Sequence, residues 1–98
     1  MNKLQKTTQH ICNIVAQIYN PTDAFNFLRD LLTETELQEF AQRLEIAKML
    51  SDKVPYKTIE EKTGASSTTV ARVKKYLDGK RGGYRKWIGK MGKNRNHK

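Results

Sequence analysis

Six residues on one short stretch carry the side chains best suited to chemistry: Ser67, Thr68, Ala71, Arg72, Lys74 and Lys75. Two are hydroxyls that both donate and accept hydrogen bonds, one is a bare methyl, and three are positive charges. Val70, Val73 and Leu77 recur between them at three- and four-residue spacing, so the stretch reads as a helix with an apolar inner face and these six outside. Small hydroxylated side chains at the start of a helix can reach base edges in a groove, while Lys and Arg pair with phosphates. No nucleophile–base pair, glycine-rich phosphate loop or internal repeat stands out. His10 and Cys12 have no partner at ligand spacing. A metal centre is not expected, and neither is an enzyme.

The elements that position this face are legible on both sides. Upstream, Ile59 anchors a short helix that Thr63-Gly64 ends, since glycine adopts the left-handed conformation without a Cβ clash. Ser66 stands where its hydroxyl can cap the free N–H groups of the next helix. A short helix, a glycine turn and a capped second helix with a small, basic outer face form a helix-turn-helix over about residues 56–77. Glu60 departs from the motif, which favours a small residue five positions before Ala65. A plain helical hairpin would share much of this pattern.

Charge by position separates the two. Residues 71–98 hold eleven Lys and Arg against Asp78 alone, a net +10; residues 1–70 hold eight basic and nine acidic residues, a net −1. The positive excess starts on the second helix of the motif, which points to phosphate contacts beside the reading helix.

The chain has 98 residues, enough for one modest core that a partner subunit would augment. One cysteine excludes an intrachain disulfide and fits a reducing compartment; beside Ile11, Ile14 and Val15 it reads as a small buried hydrophobe. No apolar run approaches a membrane span, and MNKLQKTTQH has no signal-peptide core, so a cytoplasmic protein, nucleoid-associated when bound, and no membrane partner are expected. Leu4, Ile11, Ile14, Val15 and Ile18 predict a helix over about 3–19. Asn20-Pro21 breaks it, and Thr22 is expected to cap a second helix with Phe25, Leu28, Leu31 and Leu32 inward. Thr33 to Glu36 is a capping box that starts a third helix reaching about Ser51. Its apolar positions Leu37, Phe40, Ala41, Leu44 and Ala47 are widened by Ile46, Met49 and Leu50, which favours burial on two sides, as between subunits. Arg43 interrupts them, either snorkelling to solvent or lining a pocket. After a flexible basic linker, 78–83, the spacing of Tyr84, Trp87, Ile88 and Met91 predicts a last helix docked on the core, with 92–98 a basic, disordered tail.

Several of these residues together resemble the tryptophan repressor family. Leu31-Leu32-Thr33 with Glu36, Arg43-Leu44 with Ile46, Gly64-Ala65, and Thr69-Val70-Ala71-Arg72 match the family's Leu-Thr-x-x-Glu, Arg-Val-x-Ile and Gly-Ala-x-x-x-Thr-Ile-x-Arg in order, over about Phe25 to Trp87. The type is similar to the YerC/YecD branch. The resemblance implies an all-α fold of six helices per subunit in residues 1–91, an intertwined homodimer, and a near-palindromic double-stranded DNA operator. It places Lys57, Ser67, Thr68 and Ala71 toward DNA and Thr33 near a phosphate, with Glu60 where the tryptophan repressor has a lysine. It places Arg43 and Arg72 on either side of a ligand ring, with Thr69 and the carbonyls near Leu32 beside it. Where the family has Gly-Ser-Asn after the second arginine, this chain has Val73-Lys74-Lys75, and Tyr76 takes the place of a serine near the ligand amine. Overpacking a filled site costs about 1–3 kcal/mol. Tryptophan or another small aromatic effector is therefore not expected to be required, and no cofactor is expected.

The reading is a sequence-specific DNA-binding transcriptional regulator, a repressor by family. Ser67, Thr68 and Ala71 face base edges; Lys57, Lys74, Lys75, Lys80 and Arg81 meet phosphates. The alternative is a non-enzymatic helical interaction module whose basic tail binds RNA or an acidic partner.

Overall fold

The computed structural model describes the backbone of residues 1–96 and the side chains of residues 1–90. Seven helices and no strands occur among them: α1 (Lys3–Thr7), α2 (Gln9–Val15), α3 (Pro21–Leu31), α4 (Glu34–Ser51), α5 (Tyr56–Thr63), α6 (Ser67–Leu77) and α7 (Gly83–Asn96). The chain divides into two compact units, Met1–Leu37 and Gln38–Lys98.

In the first unit the expected long helix is two. Asn2 and Gln5 form a reciprocal capping box that starts α1. Thr7 and Thr8 then donate their hydroxyls to the carbonyls of Lys3 and Leu4, four residues back. Such back-bonding competes with the regular ladder, and Thr8 leaves helical geometry at φ −98°, ψ 5°. The helix also ends at Val15 rather than near Tyr19, as Gln17 and Ile18 close onto the carbonyls three residues back. The cap of α3 is Asn20, not Thr22: its side chain accepts from the Asp23 N–H at 2.8 Å, and Pro21 fills the first helical position, where its missing N–H costs nothing. Cys12 is exposed, which corrects the expected buried thiol, because no residue of α1, α2 or α3 is buried in the single chain. The capping box of α4 is as expected. The Thr33 N–H donates to the Glu36 carboxylate at 2.9 Å and the Glu36 N–H to the Thr33 hydroxyl at 3.1 Å.

The second unit holds the core: Ile46, Ala47 and Leu50 of α4, Ile59 of α5, Ala65 of the turn, and Val70, Val73 and Leu77 of α6, with Met49, Val54, Tyr84 and Ile88 against them. Among the described residues it contains no buried polar side chain. The expected apolar surface of α4 divides. Ile46, Ala47 and Leu50 are sealed, whereas Phe40 and Leu44 stay over 40 % exposed. Trp87 is 61 % exposed, so the predicted docking stripe of α7 reduces to Tyr84 and Ile88 among described side chains. Trp87 instead lies between Lys86 and Lys90, whose ammonium groups sit 5.6 and 4.8 Å from its ring centre. The side chains of Met91 and of the expected tail, Lys93, Arg95 and Lys98 included, lie outside those described.

Candidate nucleic-acid interface and adjoining pocket

The Gly64 turn sets the angle between α5 and α6. Gly64 adopts φ 75°, and its N–H donates to the Glu60 carbonyl at 2.9 Å, closing α5. Thr63 braces the turn from inside: its hydroxyl donates to the Ile59 carbonyl at 2.7 Å and accepts from the Ala65 N–H at 3.2 Å. Gln42 of α4 donates to the Thr63 carbonyl at 2.9 Å, tying the turn to the core helix. Ser66 caps α6 as expected, accepting from the Thr69 N–H at 3.2 Å. Val70 beneath it is fully buried, which fixes the rotation of α6 and turns the opposite face outward.

On that outer face Ser67, Thr68, Ala71, Arg72 and Lys75 are all exposed. Among the described residues, the hydroxyls of Ser67 and Thr68 form no hydrogen bond within the chain, so both stay free for an outside partner. Lys57, in the first turn of α5, and Lys80 are exposed too. Two of the expected phosphate contacts are engaged. The Lys74 ammonium lies 3.1 Å from the Asp78 carboxylate, an i,i+4 surface pair, and the Arg81 guanidinium stacks 4.8 Å from the Tyr76 ring centre. A surface pair of this kind is worth about 1 kcal/mol at most, so phosphate can displace it. Thr33 is exposed in the first unit as the cap of α4.

The linker between α6 and α7 is braced rather than loose. The Arg85 guanidinium donates to the Leu77 carbonyl, satisfying a free acceptor at the end of α6, and Gly82 turns the chain at φ 72°. This fold-back brings Tyr84 over the outer end of α6.

Arg43, Thr69, Arg72, Val73 and Tyr76, the five residues expected at a ligand pocket, line one hollow of about 210 Å³. Tyr84 lines it too, and sequence reasoning missed it by assigning this residue to core packing alone. Val73 is 3 % exposed and forms part of the core, so its methyls occupy the floor while open space remains above. Thr69 of α6 lines the pocket, and its hydroxyl lies 3.1 Å from that of the Ser66 cap. Arg43 lies over Phe40 of its own helix, 5.3 Å from the ring centre. Among the described residues no cluster of His, Cys, Asp or Glu could hold a metal ion, and no helix is long and apolar enough to cross a membrane.

Known proteins share this architecture. A sequence profile of the Trp repressor protein family matches residues 6–92. YerC of Bacillus subtilis (strain 168), itself uncharacterised, is 38 % identical over 73 residues, 74 % of this chain and 70 % of that protein. A Staphylococcus aureus crystal structure of a candidate Trp repressor superposes with a TM-score of 0.83 at 29 % identity, covering 94 % of this chain and 96 % of the other. A TrpR-like protein from Eubacterium eligens ATCC 27750 gives 0.83 at 31 % identity over 93 % and 96 %. On the family match over residues 6–92 and the likeness to YerC, the chain belongs to the Trp repressor family and is of the YerC type.

Proposed function

We propose that this protein is a DNA-binding transcriptional regulator that reads a near-palindromic operator as an intertwined homodimer, without tryptophan as an obligatory corepressor. The observation that carries the reading is the outer face of α6. Ser67, Thr68 and Ala71 stand exposed at the start of a helix whose cap, turn and buried side are all fixed, and the positive excess of the chain begins there. In this reading the first turns of two such helices enter successive major grooves, and Lys57, Lys75, Lys80 and, on release from their partners, Lys74 and Arg81 meet phosphates. The assignment is to a regulator rather than an enzyme, acting as a repressor in the cytoplasm.

Dimerisation is supported by apolar surface that the single chain leaves open. Leu4 is 69 % exposed, and Ile11, Ile14, Val15, Phe25, Leu31, Phe40 and Leu44 are exposed as well. In each unit, large apolar side chains left exposed in this number favour burial against a second chain. Independence from tryptophan is supported by Val73 and Tyr76 in the pocket lining, at positions that the sequence resemblance matches to small residues.

The test is selection of bound fragments from sheared genomic DNA, followed by footprinting and light scattering. The reading expects a two-fold footprint with half-sites about 10 base pairs apart, and a particle of twice the 11.3 kDa chain mass. It also expects operator affinity that is unchanged by added L-tryptophan. Binding to every duplex and to RNA alike would favour the interaction module over the regulator.

A further inference from the structure

Each helix of the helix-turn-helix is held at its C-terminal end by a donor from a helix outside the motif. Thr63 is the last residue of α5 and Leu77 the last of α6. A helix leaves the carbonyls of its final turn without intrahelical partners. Gln42 of α4 donates its side-chain Nε2 to the Thr63 carbonyl at 2.9 Å, across 21 residues of sequence. Arg85 of α7 donates its guanidinium to the Leu77 carbonyl. Among the described residues, these are the two side-chain hydrogen bonds that join the motif to α4 and α7. None of the four residues lines the hollow of about 210 Å³.

The rest of the attachment is apolar, with Ile59, Ala65, Val70, Val73 and Leu77 packed in one cluster with Ile46, Ala47 and Leu50. Apolar contact is non-directional, so it holds the motif on the core while specifying its tilt weakly. Hydrogen bonds fix a direction. Tilt matters here because α6 is a lever. From Leu77 to Ser67 it spans about 15 Å at 1.5 Å per residue, so a rotation of about 10° at Leu77 moves the first turn by about 2.6 Å. Hydrogen bonds to base edges tolerate a range of only about 0.5 Å. Arg85 pins the far end of the lever, and Gln42 pins the turn four residues before Ser67. The guanidinium is itself confined: a Cβ on Gly82 would come within 3.3 Å of its Nη2.

We infer that Gln42 and Arg85 are positioning residues for DNA reading, a two-point clamp that sets the tilt of α6 through the carbonyls of Thr63 and Leu77. The inference rests on the regulator reading. It gives the protein's own side chains the task of presenting Ser67, Thr68 and Ala71 to a groove.

Three full-length variants test it. Gln42→Met and Arg85→Met keep an unbranched side chain and remove the donor, while Arg85→Lys keeps a donor and the charge. Affinities for the selected operator and for bulk duplex are measured over a salt series, well below each unfolding midpoint. Residual dipolar couplings of α4 and α6 are measured without DNA. Gln42→Met should lower the ratio of operator to bulk affinity about two- to tenfold, the range expected for one lost hydrogen bond, with the salt slope unchanged. Arg85→Met should lower the ratio by at least as much, again with an unchanged slope, and Arg85→Lys should restore most of it. The couplings should show α6 reoriented against α4 in both Met variants. A lowered unfolding midpoint with an unchanged ratio would make the two bonds purely structural and overturn the proposal. Equal weakening of both duplexes by Arg85→Met, with a slope smaller by about 0.9, would make Arg85 a phosphate contact and overturn its place in the clamp. Unchanged couplings in both Met variants would sink the clamp and leave the regulator reading standing. Shifted couplings in a protein whose parent chain prefers no operator would sink the regulator reading instead.

Discussion

Val73 sits at the junction of core and pocket, so its truncation can be worked out from both sides. The side chain is 3 % exposed in α6 among Ile46, Ala47, Leu50, Ile59 and Leu77. Val73→Gly withdraws three buried carbons, a transfer loss of about 2.4 kcal/mol at ~0.8 kcal/mol per carbon. Glycine inside a helix costs about 0.5 kcal/mol more than valine, which brings the total to about 3 kcal/mol. The void opens onto the 210 Å³ hollow, where water can enter, so no large further cavity penalty is expected. Val73→Ala removes two carbons, about 1.6 kcal/mol, and recovers roughly 0.5 kcal/mol of helix propensity, leaving a loss of about 1 kcal/mol. Urea unfolding followed by circular dichroism, at one fixed protomer concentration, measures both. Glycine should cost about three times as much as alanine. A loss below about 1 kcal/mol for Val73→Gly would refute the burial argument. The same variant deepens the pocket, so indole should bind it more tightly than the parent chain; weaker binding would mean that the valine methyls touch the ligand rather than obstruct it.

Other consequences can be measured alongside. Gly64→Ala should cost about 1–2 kcal/mol through the left-handed backbone alone, since a Cβ there meets nothing within 4 Å, and Gly64→Asn should cost less; equal stability of all three would show that the turn relaxes. The Thr33 N–H and then its hydroxyl hold the Glu36 carboxyl below its ordinary value of 4.5. The folded value is the depressed one, so this support is present at neutral pH and is lost as pH falls below about 4.5 through the folded value. Glu36→Gln should therefore flatten the acid limb of the stability profile, and an unchanged limb would contradict the linkage. Deleting residues 92–98 removes Lys93, Arg95 and Lys98; if these touch phosphates, affinity for all duplexes falls alike and the salt slope shrinks by about 0.9 for each phosphate no longer neutralised. An unchanged slope would identify the segment as a solubilising tail.

What could be read from the chain was local and periodic. Gly64, Ser66 and the spacing of Val70, Val73 and Leu77 define the motif because each acts within one turn of itself. The same holds for Thr33 and Glu36. The pocket came from motif order, since nothing in the periodicity of α4 and α6 says that Arg43 faces Arg72. The misses have physical causes. Apolar spacing over residues 4–18 carries no signal for the paired threonine back-bonds that interrupt it. Asn20 outcompetes Thr22 as a cap because Pro21 beside it already has the helical φ. Lys74 and Asp78 stand at i,i+4, and that pairing was legible but overlooked. Tyr84 and Arg85 reach their partners across the Gly82 turn, whose direction depends on a positive φ that Gly79, Gly82 and Gly83 each permit. Cys12 and Trp87 show that an apolar stripe specifies a face without saying whether its own chain covers it.

The central claim is that α6 reads bases while its neighbours hold phosphates. The most direct measurement compares Thr68→Ala and Lys75→Ala on the selected operator and on bulk duplex DNA at one salt concentration. Thr68→Ala should lose about 1–3 kcal/mol of preference for the operator while leaving bulk affinity intact. Lys75→Ala should weaken both duplexes by the same factor and lower the salt slope by about 1. If Thr68→Ala leaves the ratio of operator to bulk affinity untouched, or if the parent chain shows no such ratio, α6 is not the reading element and the account fails.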